Sequence, residues 1–304
     1  PFFAAGFYYK TFMWPKQAWT KIYEPFIRRA AGLGVAPTEE DPDRYASRYA
    51  HCDVLIAGAG VAGLTAALSA AATGASVILV DEQPEVGGAL HYDATTIDGQ
   101  DGYDWAQGTV AKLKAMPNMR VLTRTTVFGY YNHGFLGLAE RVSDHLDRPG
   151  RDMARERLWQ VRAKRVVIAT GAIERHMVFA NNDRPGIMLA SAARTFLNHY
   201  GVAVGRKVGV FTAHDSAYEA AFDLRRAGVS IAAIVDSREV PGEAVLAEAR
   251  ALGIDVLTGH SVTNTGGRLR INSMTVARNG NFDIRKIKVD ALIVSAGWTP
   301  SVHL

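Results

Sequence analysis

The feature that most constrains this chain is a glycine-rich turn between an apolar strand and an alanine-rich helix. Residues Gly58 to Gly63 read GAGVAG, which fits the GxGxxG pattern, and the short strand pattern DVLIA at 53–57 precedes them. A helix predicted over 62–73 leads to a second apolar run over 76–80, which ends at Asp81. This order of elements is typical of the βαβ unit that binds an adenine dinucleotide. The sequence therefore predicts a site for NAD or FAD in this segment.

The three motif glycines have separate physical roles. Gly58 permits the tight turn out of the strand, Gly60 leaves room for the pyrophosphate, and Gly63 lets the helix pack closely on the sheet. The free N–H groups and the dipole at the start of the helix favour an anion there. The predicted diphosphate contacts are Gly58, Ala59, Gly60, Ala62 and Gly63. The alternative is a glycine turn that binds no ligand.

Residues after the second strand are predicted to recognise the adenosine. Asp81 would accept hydrogen bonds from the ribose hydroxyls, and its charge disfavours the 2′-phosphate of NADP. Glu82 and Gln83 are adjacent and would complete the ribose and adenine pocket. The run Gly87-Gly88-Ala89 is predicted to make a second close approach to the dinucleotide; the alternative is an ordinary turn.

A second block of alternating strands and helices begins near residue 181 and repeats the layout of the first. Its strand over 207–211 is followed by a turn with His214 where a dinucleotide site needs glycine. Asp236 nevertheless ends the next strand, as ribose recognition would require. We interpret this block as a Rossmann-like scaffold whose nucleotide site is weakened or lost. A second bound dinucleotide is the alternative.

Together these patterns predict an α/β fold of the glutathione-reductase type, with two Rossmann-like, doubly wound parallel-sheet domains and a small β-meander. The first dinucleotide-binding domain is predicted over 51–180 and the degenerate second domain over 181–290. Residues 291–304 are predicted to form a strand that returns to the first domain. Strands of the meander are expected near 120–131, 134–140 and 158–162.

The first 50 residues are predicted to form a separate arm. Ten aromatic residues lie within positions 1–26, and four prolines interrupt residues 1–50, so no long helix fits. Because aromatic side chains anchor interfaces, we expect the arm to dock on another domain or subunit. The alternative is an arm that covers the core of its own chain.

Composition excludes several other functions. The 304 residues suffice for about two domains. Cys52 is the only cysteine, which excludes an intrachain disulfide, a zinc cluster and a redox CxxC pair, and favours a reducing cytoplasm. The net charge is +4, and the basic residues are spread among the acidic ones rather than clustered. No nucleic-acid partner is therefore predicted. No apolar run reaches the roughly 18 residues of a membrane span.

The chain shows no predicted catalytic or metal-binding constellation. Five histidines are scattered without metal-ligand spacing: His91, His133, His176, His199 and His260. We name no catalytic residue and no metal ligand. Since the sequence starts without Met and stops just after a strand pattern, we expect it to be a piece of a longer polypeptide.

Four motifs together resemble the glutathione-reductase-like flavoproteins with two dinucleotide-binding domains: the turn from Gly58 to Gly63, the strand end at 77–81, Gly87-Gly88, and ATGA at 169–172. Further stretches resemble, more specifically, the family of heterotetrameric sarcosine oxidase alpha subunits. They are FYYKTFM at 7–13, DEQP at 81–84, GAIER at 171–175 and NDRPG at 182–186.

This resemblance implies an enzyme that oxidises the N-methyl group of a small amine, sarcosine. The products would be glycine, hydrogen peroxide and a one-carbon unit passed to tetrahydrofolate. It implies FAD, FMN and NAD in the complete complex, with amine oxidation in the beta subunit, NAD on the alpha subunit, and gamma and delta subunits as further partners. It also implies that Ala89 lies under the diphosphate, that the backbone of Val127 faces adenine, and that the turn Thr170-Gly171 closes the site.

One departure from the superfamily bears on the ligand. The flavin reductases carry a Gly-Asp pair that contacts the flavin ribitol, whereas Trp298 follows Gly297 here. This favours NAD over FAD at the first site, with FAD as the alternative. Three other functions stay open: a subunit of a related amine, opine or proline dehydrogenase, an autonomous FAD/NAD(P)H oxidoreductase, and a structural subunit that a dinucleotide merely stabilises.

Overall fold

The computed structural model describes residues 14–32, 34, 36–280 and 284–304, and the chain divides after Asp43 into two units. In the first unit, a π-helical turn (Trp19–Tyr23) leads into helix α1 (Glu24–Ala30), which has seven residues. This short helix agrees with the prediction that prolines exclude a long one. Trp14 and Phe26 are strongly exposed. The aromatic residues at positions 2–12 and the stretch 7–13 lie outside the described residues, so docking of the arm stays a prediction.

The second unit runs from Arg44 to Leu304. Its strands are β1 (Tyr45–Ala57), β2 (Val77–Val80), β3 (Thr96–Ile97), β4 (Gln100–Asp101), β5 (Met119–Leu122), β6 (Thr125–Tyr131), β7 (Phe135–Arg141), β8 (Glu156–Ile168), β9 (Ala172–Glu174), β10 (Ile187–Leu189), β11 (Lys207–Thr212), β12 (Ser230–Asp236), β13 (Val256–Thr258), β14 (His260–Gly266), β15 (Ser273–Arg278), β16 (Ile284–Lys288), β17 (Ala291–Ser295) and β18 (Trp298–Pro300).

The helices of this unit are α2 (Val61–Ala72), α3 (Gly102–Ala115), α4 (Ala190–Arg194), α5 (Ser216–Arg226) and α6 (Glu243–Ala251). Shorter helical turns cover Gly88–His91, Asn132–Gly134 and Thr195–His199. Among the described helices, none is both long enough and apolar enough to cross a membrane.

The first sheet has the strand order β5-β2-β1-β8-β7-β6. Strands β5, β2, β1 and β8 pair in parallel, and β8, β7 and β6 pair antiparallel. Helices α2 and α3 cover one face through a core that includes Leu64, Trp105 and Leu113. On the other face, Leu138 and Trp159 of the antiparallel strands pack with Ile78. The predicted meander is therefore the antiparallel half of this same sheet.

Two sequence predictions for this sheet are corrected. Strands expected separately at 158–162 and 165–168 form the single strand β8, and residues 45–50, assigned to the arm, belong to β1. The physical reason is shared: β1 and β8 pair from Tyr45 with Glu156 to Ala57 with Ile168, and each strand supplies the main-chain partners that keep the other extended.

The second sheet has the order β10-β17-β11-β12-β13, and all of its pairs are parallel. Helices α4, α5 and α6 contribute to the core on one face, where Tyr218 and Phe222 are fully buried. The antiparallel sheet β14-β15-β16 packs on the other face through Met274 and Val276. The parallel strands of both sheets, with helices packed on them, belong to the predicted α/β class.

The predicted return strand at 291–304 lies elsewhere than expected. Ala291–Ser295 is β17, a fully buried strand between β10 and β11 in the second sheet. Two parallel neighbours satisfy its main chain there, so the strand assignment to the first domain is wrong. The chain reaches the first sheet only afterwards, where Ser301 N donates to Gly171 O and Leu304 packs against the core of that sheet.

Candidate dinucleotide site

The turn between β1 and α2 has the close packing that the glycine pattern predicts. Gly58 has a φ of +101°, and a β-carbon there would lie 2.2 Å from the carbonyl oxygen of Ala169. A β-carbon on Gly63 would lie 1.8 Å from the carbonyl oxygen of Gly58. A β-carbon on Gly60, in contrast, would meet no atom within 4 Å. Gly58 and Gly63 are therefore required by the fold itself, whereas Gly60 borders open space.

Helix α2 presents main-chain donors to that open space. Gly60 is its N-cap and no side chain caps it; the first N–H with a helical acceptor is that of Leu64, which bonds to Gly60 O at 2.9 Å. The N–H groups of the first turn have no acceptor within a helix, and the helix dipole adds partial positive charge there. Val61 and Ala62 are exposed, so their N–H groups are suited to bind a phosphate.

Asp81 lies directly over the glycine turn. Its Oδ2 accepts a hydrogen bond from Ala59 N at 2.6 Å, and its Oδ1 accepts one from Gln83 N at 2.8 Å. Because the side chain is largely buried, the pKa of this carboxyl group is raised, although the two N–H donors oppose that shift. Each carboxylate oxygen can accept a second hydrogen bond, which leaves capacity for ribose hydroxyls.

The residues predicted for adenine recognition lie beside Asp81. Glu82 and Gln83 are exposed; Arg141 Nη2 donates to Glu82 O at 3.0 Å and Arg124 N to Gln83 O at 2.9 Å. Strand β6 begins against the same segment and carries the half-buried Val127 two residues after its first residue. The two arginines were missed in the sequence, since single arginines at such spacings carry no signal of their own.

The second glycine-rich loop lies on the first. Gly87 N donates to Ala59 O at 2.9 Å, and a β-carbon on Gly88 would lie 3.2 Å from the α-carbon of Gly60. Gly87 and Gly88 have φ values of +130° and +56°, a region that favours glycine. Gly88 and Ala89 are exposed. The structure thus brings the predicted loop to the turn that carries the predicted diphosphate contacts.

The turn Thr170-Gly171 follows β8 next to Gly58. The hydroxyl of Thr170 donates to Ser301 O, and Ser301 N donates to Gly171 O at 3.0 Å. The role of Ser301 was not predicted, because the contact joins residues 130 positions apart and no local pattern marks it. Among the described residues, no group of three or more His, Cys, Asp or Glu side chains is arranged to hold a metal ion.

The corresponding turn in the second block is filled by its own side chains. Nδ1 of His214 accepts a hydrogen bond from Ser216 N at 3.2 Å, so the first N–H group of helix α5 already has an acceptor. Next to it, Trp298 Nε1 donates to Ser216 Oγ at 3.0 Å. A β-carbon on Gly297 would lie 3.5 Å from the His214 ring.

Asp236 corresponds to Asp81, and its side chain is fully buried. Both of its carboxylate oxygens already accept hydrogen bonds. It accepts hydrogen bonds from the Tyr218 hydroxyl at 2.9 Å and from Nε and Nη2 of Arg238 at 3.0 and 2.7 Å. Arg238 Nη2 also lies 2.7 Å from Oδ1 of Asp215. Burial and the neighbouring Asp236 raise the pKa of Tyr218, so its hydroxyl remains a donor. These contacts leave few free acceptor positions on Asp236 for the hydroxyl groups of a ribose.

The family comparison agrees with this geometry. The family model described as pyridine nucleotide-disulphide oxidoreductase matches residues 52–304. The chain belongs to this family. Within the pyridine nucleotide-disulphide oxidoreductases it lacks a cysteine pair, and burial raises the pKa of the Cys52 thiol to about 11, which disfavours a reactive thiolate.

Two curated relatives extend the match. The chain is 48% identical over its whole length to the sarcosine oxidase subunit alpha of Rhizobium meliloti (strain 1021), and spans 30% of that protein. It is 43% identical over 90% of its length to the subunit of the same name from Corynebacterium sp. (strain U-96), of which it spans 29%. The resemblance stated from the sequence motifs is confirmed, and the chain covers under a third of these relatives.

Among solved structures, L-proline dehydrogenase from P. horikoshii matches 87% of this chain and 44% of its own, with a TM-score of 0.60 and 26% identity. The match confirms the predicted α/β fold class with Rossmann-like parallel sheets.

Proposed function

We propose that this chain is the NAD-binding part of the alpha subunit of a heterotetrameric sarcosine oxidase. The complete enzyme would oxidise sarcosine to glycine in the cytoplasm, with molecular oxygen reduced to hydrogen peroxide and the one-carbon unit passed to tetrahydrofolate. FAD and FMN would be carried in the complete complex, with amine oxidation in the beta subunit and with gamma and delta subunits as further partners. The 48% identity to a sarcosine oxidase alpha subunit supports this assignment.

The observation that carries the assignment of a dinucleotide site is the position of Asp81 over the glycine turn, next to the open space at Gly60. The exposed N–H groups of Val61 and Ala62 would bind the diphosphate, and Asp81 would accept the ribose hydroxyls. Glu82, Gln83 and the backbone of Val127 would border adenine. Bound NAD supplies a nicotinamide that can exchange a hydride with a redox partner.

The choice of NAD over FAD rests on residues at the start of β18. Trp298 stands where flavin reductases have the ribitol-binding aspartate, and its indole N–H is already bonded to Ser216. The filled turn around His214 and the occupied Asp236 weigh against the alternative of an autonomous FAD/NAD(P)H oxidoreductase, which would need a second nucleotide site.

The direct test is to purify the full-length chain with any subunits that copurify, denature the sample, and identify the released nucleotides by mass spectrometry. We expect one NAD per alpha chain together with flavins. FAD in the absence of NAD would contradict the proposal and favour FAD at Gly58 to Gly63.

The match to L-proline dehydrogenase favours one second candidate, a subunit of a related amine, opine or proline dehydrogenase. Turnover of sarcosine, proline and an opine by the purified complex, with oxygen or a dye as acceptor, separates the two. Oxidation of proline or an opine without sarcosine turnover would favour the second candidate.

Replacing Asp81 with asparagine is expected to weaken NAD binding about tenfold, since hydrogen bonds to charged groups contribute roughly 1.5–3 kcal/mol. The amide can accept from only one of the two main-chain donors that Asp81 now serves, and it loses the charge that repels a 2′-phosphate. The preference for NAD over NADP should therefore shrink in calorimetric titrations. Asp53→Asn is the control, because Asp53 lies within β1 beside the start of β2, whereas Asp81 follows the end of β2, and Asp53 accepts a hydrogen bond from Ser76 N. Equal affinities of wild type and Asp81→Asn would contradict the assigned role.

A further inference from the structure

Arg194, at the end of α4 in the second block, is buried among charged and aromatic partners. Its Nε donates to Asp223 Oδ2 at 2.8 Å, and its Nη2 lies 2.9 Å from Asp93 Oδ1. The guanidinium carbon lies 5.8 Å from the centre of the Tyr92 ring. Burying a guanidinium costs free energy unless its partners compensate, so this arrangement depends on both carboxylates.

Two further contacts join the same elements. Asn198 Nδ2 donates to Tyr92 O at 2.7 Å and to Asp223 Oδ2 at 2.9 Å. The ring of His199 packs edge-on against His91, with 5.4 Å between ring centres. Residues 91, 92 and 93 therefore each contact the helical segment 190–199 of the second block.

Residues 91–93 directly follow the predicted diphosphate loop, and hydrogen bonds tie them to it. The N–H groups of Tyr92 and Asp93 both donate to Ala89 O, at 3.0 and 2.9 Å. The loop in turn contacts the glycine turn, where Gly87 N donates to Ala59 O at 2.9 Å. A continuous set of polar contacts thus leads from Arg194 to the turn that borders the dinucleotide site.

We infer that Arg194 is a positioning residue for the dinucleotide, which holds the Gly87-Gly88-Ala89 loop against the glycine turn from the second block. The inference rests on the proposed NAD site. It gives the second block a role that does not require a nucleotide of its own. Arg194 does not touch the ligand; it acts through Tyr92 and Asp93.

The physical reason is the flexibility of the loop. Two adjacent glycines with positive φ have many alternative conformations, and ordering them costs conformational entropy. If the second block orders the loop before NAD arrives, binding does not bear that cost, and affinity rises. Loss of the tether should therefore weaken binding without removing a ligand contact.

The test uses the full-length chain with its copurifying subunits and two variants, Arg194→Gln and Asp93→Asn. Each variant should bind NAD about fivefold more weakly than the wild type. An effect of this size is usual for residues that act on a site through a network of contacts. The double variant should be no weaker than either single variant, because both substitutions break the same tether. Hydrogen exchange of the amides in 87–93, measured without NAD, should accelerate in all three variants. Asp93 is the more exposed partner, so its variant keeps the test valid if Arg194→Gln folds poorly.

Arg226→Gln is the matched control. Arg226 pairs with the same Asp223 and with Glu248, and these partners lie in the second block. NAD affinity and exchange in 87–93 should be unchanged in this variant. The inference is overturned if Arg194→Gln and Asp93→Asn lower only the melting temperature, with unchanged exchange in 87–93. If the wild type binds no NAD, the proposed function fails; accelerated exchange in both variants would still support the tether, and unchanged exchange would overturn it.

Discussion

Replacing Gly60 with valine is expected to weaken NAD binding about 100-fold, equivalent to roughly 2.7 kcal/mol, while the chain stays folded. A β-carbon at Gly60 would meet no protein atom within 4 Å, and the backbone there is extended, so valine fits the protein. The same side chain would occupy the space through which a pyrophosphate reaches the N–H groups of Val61 and Ala62. Isothermal titration with NAD and thermal unfolding of the same sample measure the two effects separately.

Gly108→Val is the matched control for this variant. Gly108 is an exposed glycine inside α3 whose β-carbon would also meet no atom within 4 Å. It should change helix stability little, since valine is a slightly better helix former than glycine, and it should leave NAD affinity unchanged. Wild-type affinity in Gly60→Val would contradict a diphosphate site at this turn. If Gly60→Val loses NAD but the complex assembles and turns over normally, the dinucleotide has no part in catalysis.

Replacing Arg238 with glutamine is expected to destabilise the second block by about 3 kcal/mol, the usual result of removing one partner from a buried ion pair. Asp236 is fully buried and accepts two hydrogen bonds from this guanidinium. Without Arg238, the carboxylate keeps the Tyr218 hydroxyl and the main-chain N–H of residue 238 as donors. Urea unfolding of the full-length chain, monitored by tryptophan fluorescence, measures the loss.

Two further variants define this effect. Asp236→Asn combined with Arg238→Gln should recover much of the lost stability, because no buried charge then remains. Arg250→Gln removes a guanidinium from the exposed pair with Glu243 and should cost less than about 1 kcal/mol. If Arg238→Gln is as stable as Arg250→Gln, the Asp236 network is not essential to the second block.

Much of the first block could be predicted because its signals are local. Four signals occur within 30 residues: an apolar strand, a glycine turn, an alanine-rich helix and a terminal aspartate. Glycine is required at Gly58 and Gly63 because a β-carbon there would clash with nearby main-chain atoms. The second glycine loop was also predicted, since glycines at this spacing permit the positive φ values found at Gly87 and Gly88. The sequence also indicated that the second block has a weakened nucleotide site, because His214 stands where a dinucleotide site needs glycine.

Predictions failed where the outcome depended on which strands pair. The continuous apolar run at 291–294 identifies a buried strand but not its sheet, and the pairing with β10 and β11 places this strand in the second sheet. Similarly, residues 45–50 lack the continuous apolar run of a buried strand and gave no strand signal, although β8 pairs with them along their length. Strand partners are distant in sequence, so local patterns do not specify them.

The sequence by itself determined the α/β class, the dinucleotide turn from Gly58 to Gly63, the acidic residue at Asp81 and the loss of a glycine at His214. These features follow from short-range steric and helix-terminus effects that act within one βαβ unit. Tertiary structure alone decided three sets of contacts. Arg238 and Tyr218 donate hydrogen bonds to Asp236, and Ser301 bonds to the Thr170-Gly171 turn. Arg194 forms an ion pair with Asp93. Apart from the local pair of Asp236 and Arg238, these contacts join separate elements of the fold. Burial selects such polar contacts, since a buried charge or donor must find a partner wherever the fold supplies one.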